Sequence, residues 1–154
     1  MKLPILRSVY FSVLLFSLAI ASWYSLSRPT QTVLRYWLAD LQNFTAAPAN
    51  LLLGSSSLAR LDTVLLEDCG SWHNRAIGNS QLSDIRRYLN WTPRRQQPAH
   101  LVLYGGENDL ARQQTPQQVS TAYIALLQQL QARYPRAKLH ILALKYSPAR
   151  LQHW

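Results

Sequence analysis

Cysteine, glycine and acidic residues are all scarce in this chain of 154 residues. Cys69 is the single cysteine, so no internal disulfide can form. A lone thiol is tolerated in an oxidising compartment, so its presence does not fix a location. Glycine occurs five times and never as GxGxxG or GxxxxGK[ST], which argues against a doubly wound domain built to hold nucleotide phosphates. Seven Asp and Glu stand against 16 Lys and Arg, giving a net charge of +9. The excess is mostly arginine, and it is scattered. Arg86-Arg87 and Arg94-Arg95 are the only doublets, and no aromatic residues interleave with them. That excludes a patterned nucleic-acid surface and leaves a solvated basic face, or weak attraction to anionic lipid or polysaccharide. Internal repeats and low-complexity tracts are absent, apart from a general richness in glutamine.

What is present begins with an apolar segment. Lys2 and Arg7 precede an uncharged, mostly apolar run from Ser8 to Leu26. A basic start followed by such a run reads as a signal peptide or a membrane anchor, over residues 1–27. Ala19-Ile20-Ala21 offers a small-x-small cleavage site, and Trp23 and Tyr24 suit a membrane interface. The remainder is expected outside the cytoplasm, secreted or tethered through the N-terminal helix. Ser27-Arg28-Pro29-Thr30 reads as a break. Val33, Leu34, Trp37, Leu38 and Leu41 then recur at helical spacing, an amphipathic lead-in over residues 28–49 that Ala46-Ala47-Pro48-Ala49 ends.

The domain proper occupies residues 50–154. Four strand-like segments follow one another: Asn50 to Gly54, Ser71 to Ile77, His100 to Tyr104 and Lys138 to Leu144. Between them, Ser80 can cap a helix with Leu82, Ile85 and Leu89 on one face. Thr115-Pro116-Gln117-Gln118 is a capping box with proline at the first helical position, and Tyr134-Pro135 closes the helix it opens. Strands alternating with helices predict an α/β fold with a parallel sheet and helices on both faces.

Ligands of such sheets bind beyond the carboxyl ends of the strands. Three loops fall there: Gly54-Ser55-Ser56-Ser57, Gly78-Asn79-Ser80 and Gly105-Gly106-Glu107-Asn108-Asp109. A serine in a glycine turn after a buried strand can serve as a nucleophile, although the same GSSS also suits a plain turn or helix cap. Gly78 can supply a positive φ or let a backbone N–H approach a ligand closely. The Asn108 amide can donate to an oxyanion without adding charge, and Asp109 can order the loop by accepting backbone N–H groups. Each loop alone has an ordinary structural reading.

Taken in order, LLLGSSSLARL, NRAIGNSQLSDI and LVLYGGENDLARQQTP resemble the blocks of the SGNH hydrolase superfamily, the GDSL esterases, over roughly residues 50–154. The resemblance implies a three-layer flavodoxin-like fold and a serine esterase. It implies that Ser56 is the nucleophile and that the N–H groups of Ser56 and Gly78, with the Asn108 amide, form the oxyanion hole. Ser55 stands where the superfamily usually has aspartate, and Ser55 and Ser57 flank the nucleophile. No metal or organic cofactor is implied. The expected substrates are a small ester, a lipid or an acylated glycan, with no nucleic acid and no obligate protein partner.

The superfamily's fourth block, Asp-x-x-His, does not occur in the sequence. His73, His100 and His140 fall in or at the predicted strands, as packed or edge residues rather than bases. His153 alone lies past a strand end. Since the fourth strand has no following helix or fifth strand, the domain is expected to be incomplete at its C-terminal end and impaired as an enzyme. A non-catalytic module that keeps the pocket without the base is the main alternative, and a membrane-anchored scaffold is another.

Overall fold

The computed structural model describes residues 3–42, 50–93 and 97–145. Helices α1 (Leu3–Ser25) and α2 (Arg28–Gln42) lead into β1 (Asn50–Gly54), the short α3 (Ser56–Ala59) and a 3-10 helix, Thr63–Cys69. They are followed by β2 (Trp72–Asn74), α4 (Leu82–Trp91), β3 (His100–Tyr104), α5 (Glu107–Ala111), α6 (Pro116–Arg133) and β4 (Lys138–Ile141). The strands form one sheet in the order β2-β1-β3-β4, every pair parallel. The mixed α/β fold with a parallel sheet is therefore as the sequence predicts.

Side chains alternate across a strand, and β1 and β3 are in register, Leu51 beside Leu101 and Leu53 beside Leu103. These four leucines share one face. They pack with Val33 of α2, Ile85 and Leu89 of α4, and Leu126 and Leu130 of α6 in the main core. The other face, with Leu52 and Val102, carries only the short α3 and the 3-10 helix among the described elements. Helices thus flank the sheet, but unequally: α2, α4 and α6, which the apolar periodicity announces, all serve one side.

Several boundaries differ for local reasons. The break between the first two helices is confined to Leu26 and Ser27, because Ser27 caps α2. Its hydroxyl accepts the Thr30 N–H at 3.4 Å and shares a hydrogen bond with the Thr30 hydroxyl at 2.9 Å. Pro29 fits within the first turn, where no N–H is needed. Gln81 rather than Ser80 caps α4, in a reciprocal box with Asp84. Helix α6 opens on the Thr115–Gln118 capping box foreseen from the sequence. β2 and β4 are shorter than expected, and residues 43–49, including Ala46 to Ala49, lie outside the described residues.

Helix α1 coincides with the apolar run, but among the described residues no helix is long and apolar enough to cross a membrane. Serines at positions 12, 17, 22 and 25 dilute the run, and the Ser17 and Ser25 hydroxyls fold back onto the carbonyls of Val13 and Ser22. The expectation of a transmembrane anchor is thus not supported.

Candidate active site

The carboxyl ends of β1 and β3 and the segment after β2 converge. Gly54 ends β1 where a side chain has no room: a Cβ there would lie 2.1 Å from the Tyr104 carbonyl oxygen. That close approach lets the Ser55 N–H donate to the same carbonyl at 3.0 Å. Beyond Arg75, whose N–H donates to the Leu52 carbonyl at 2.9 Å, Ile77 N–H reaches the Gly54 carbonyl at 2.7 Å. The chain then passes through Gly78 and turns at Asn79, which has φ of 59°. The left-handed residue of this loop is therefore Asn79 and not Gly78. Gly78 is exposed, with nothing within 4 Å of where a Cβ would sit.

The three adjacent serines have different surroundings. Ser55 is fully buried, and its hydroxyl donates to the carboxylate of Glu107. Ser56 opens α3 and is partly exposed, as is Ser57. Ser55 is accordingly a support of the turn, and the accessible hydroxyls belong to its successors.

The third loop binds the other two together. Gly106, with φ of 110°, makes the sharp entry into α5, and three consecutive side chains of α5 then reach outward from it. Glu107 accepts from Ser55 in the first loop. The Asn108 amide, 4% exposed, donates to the Ser80 carbonyl in the second at 2.8 Å. Asp109 accepts the Leu82 N–H at the start of α4, at 3.1 and 3.3 Å. Ser80 in turn donates its hydroxyl to the Gly54 carbonyl at 3.3 Å. On the outside, Arg112 reaches the Gln81 side chain at 2.6 Å and the Asn79 carbonyl at 3.2 Å.

Burial raises the Asp109 carboxyl above its usual value, against the opposing pull of the Leu82 N–H and Arg112. Burial also raises the Tyr123 phenol, and the nearby Glu107 charge adds to the effect. Glu107 was not among the residues singled out from the sequence. The only signal for it was an acid between Gly106 and Asn108, directly after an apolar strand, where an ordinary turn residue serves equally well.

The described histidines lie elsewhere. His100 opens β3, four residues and so about 13 Å back along the strand from Tyr104. His100 and His140 of β4 share a hydrogen bond of 3.0 Å between Nδ1 and Nε2. Both line an apolar groove of about 480 Å³ on the more open face, with Leu52, Leu58, Trp72 and Val102. His73 sits within β2. His153 lies outside the described residues, and so do Arg94 and Arg95. Among the described residues, no group of three or more His, Cys, Asp or Glu is arranged to hold a metal ion.

No family model and no curated protein matches the chain. Among solved structures, the fold is similar to that of a Streptococcus pneumonia protein named for platelet activating factor, with a TM-score of 0.69 and 17% sequence identity. The match covers 88% of this chain and 64% of that one, so the chain spans less than two thirds of its neighbour's length. At that identity the likeness speaks for the shared architecture alone.

Proposed function

We propose that the three strand-end loops form the site of a serine ester hydrolase of the SGNH type. The observation that carries this reading is the linkage of the loops through α5. Glu107 meets the Ser55 turn, and Asn108 meets Ser80, two residues past Gly78. The motifs that resemble the superfamily blocks are thus joined by direct hydrogen bonds. The neighbour's name, platelet activating factor, is that of an acylated lipid, in keeping with an ester substrate.

In this reading Ser56 attacks the ester carbonyl and forms an acyl-serine. The N–H groups of Ser56 and Gly78, with the Asn108 amide, stabilise the oxyanion that develops on the carbonyl. Orienting Asn108 through the Ser80 carbonyl keeps that dipole aimed before the substrate arrives. A histidine takes the Ser56 proton and returns it to the leaving alcohol, and water then releases the acid. In this reading none of the described histidines fills that role, and the base stands outside the described residues. Reaction outside the cytoplasm, on a lipid ester or an acylated glycan, belongs to the same proposal and rests on the residues before Ser27.

The alternative of a pocket that binds without catalysing draws on one specific observation, the engagement of His100 and His140 with each other far along the strands. Hydrolysis of p-nitrophenyl acetate decides between the two. In a version extended through the downstream reading frame to supply the base, the esterase reading expects activity that Ser56→Ala abolishes and Ser57→Ala spares. Hydrolysis indifferent to Ser56→Ala refutes it and leaves the binding module.

A further inference from the structure

Helix α2 lies outside the three loops, yet its side chains reach the segment that ends at Gly78. The Tyr36 hydroxyl donates to the Ala76 carbonyl at 2.8 Å. Asp40, 2% exposed, accepts the Arg75 guanidinium at 2.7 and 3.2 Å through Oδ1 and the Tyr88 hydroxyl at 3.0 Å through Oδ2. The guanidinium lies 5.1 Å from the centre of the Tyr36 ring, and the Tyr36 and Tyr88 rings meet edge to face at 6.1 Å.

On its other side the same segment is bonded to β1, through the Arg75 and Ile77 N–H groups on the Leu52 and Gly54 carbonyls. Residues 75–77 thus continue the line of β2 with backbone bonds inward and side-chain bonds outward. A carbonyl at a sheet edge needs a donor once it is buried, and Tyr36 supplies one to Ala76. Burial works against the Arg75 charge, but the hydrogen bond and charge of Asp40 outweigh it and raise the guanidinium further. A buried ion pair of this kind adds little net stability over apolar packing of the same shape. What it provides is a defined place for the chain that carries it, and two residues after Ala76 comes Gly78, where among the described residues nothing lies within 4 Å of where a Cβ would sit.

We propose that Tyr36 and Asp40 are positioning residues: from α2 they hold Arg75–Ile77 so that the Gly78 N–H stands at the site with Ser56 and Asn108. The hold itself is independent of the esterase reading, and its catalytic consequence rests on that reading.

The experiment uses the full chain with Tyr36→Phe, which removes a single oxygen, and Asp40→Asn, with Ser56→Ala beside them. Amide hydrogen exchange is followed at Arg75 and Ile77, whose N–H groups are bonded to β1, and, as an internal reference, in β3, together with kcat and KM for p-nitrophenyl acetate. The expected result for Tyr36→Phe is faster exchange at Arg75 and Ile77 with β3 unchanged. The accompanying loss in kcat is roughly tenfold at constant KM, smaller than for outright removal of an oxyanion donor. Unchanged exchange at Arg75 and Ile77 overturns the hold. Faster exchange with Ser56-dependent kcat at the parent value overturns the catalytic half. Faster exchange with hydrolysis indifferent to Ser56→Ala sinks the esterase reading and leaves the hold of α2 supported. Should Asp40→Asn fail to fold, Tyr36→Phe carries the test alone.

Discussion

On one face of the sheet, Leu51, Leu53, Leu101 and Leu103 are at most 8% exposed beneath α2, α4 and α6. On the other, Leu52 and Val102 share their side with the His100–His140 pair and with Leu142, which is 44% exposed. The difference teaches where this chain keeps most of its apolar burial. The face closed by long helices takes leucines from β1 and β3 at its centre and confines the polar groups of Asp40, Arg75 and the Tyr88 hydroxyl to a mutually bonded set between α2 and α4. A face covered by a four-residue helix and one 3-10 helix admits two imidazoles, because each satisfies the other.

The comparison can be broken most forcefully by truncation. Leu103→Ala, at a fully buried position, is expected to cost about 4 kcal/mol in urea unfolding, and Leu142→Ala on the open side less than about 1 kcal/mol. Equal costs would mean that the two faces are energetically alike.

Next comes the contrast between two glycines of the site. Gly54→Ala forces a Cβ against the Tyr104 carbonyl and is expected to cost about 3 kcal/mol, while Gly78→Ala enters open space and stays within about 0.5 kcal/mol. The same unfolding curves check both.

The third effect depends on pH. Burial raises the native Asp109 pKa above the 3.8 of an unperturbed carboxyl. The folded state therefore binds the proton more tightly than the unfolded chain. This contribution is fully present below about 3.8, and stability falls as pH rises through the raised native value. Asp109→Asn lacks that decline. Relative to the variant, the parent should therefore lose ground between about pH 3.5 and pH 7 in paired urea titrations. A constant difference would contradict the assignment.

The smallest change is expected at the histidine pair. His140→Ala removes one mostly self-contained hydrogen bond and should cost about 1 kcal/mol or less, with Ser56-dependent hydrolysis unaltered. A large loss of activity would make the open face part of the chemistry.

Strands β1 and β3 were legible from the sequence to the residue, since a short apolar run ended by glycine leaves little choice. β2 was poorly legible: WHN has no apolar alternation, and its place is set by the backbone of β1 next to it. The positions of the three strand-end loops were legible through Gly54, Gly78 and Gly105-Gly106, glycines that follow or end apolar segments. The roles of Ser55 and Glu107 were not. A serine and a glutamate 52 positions apart become partners only once two strands lie side by side. The Tyr36–Arg75 and Asp40–Arg75 contacts escaped for the same reason: periodicity identifies α2 as amphipathic but cannot say which polar residues turn inward.

The Ser55–Glu107 contact carries an evolutionary consequence. It needs one group that gives a proton to the bond and one that takes it, and it is sealed from water on both sides. Aspartate, the residue usual before the nucleophile in the superfamily that the loops resemble, would set two carboxylates against each other here. A lineage moving from one arrangement to the other must change both positions, passing through an intermediate with either two acids or none. Positions 55 and 107 should therefore drift as a couple, and the identity of one becomes a reading of the other in any chain built on this plan.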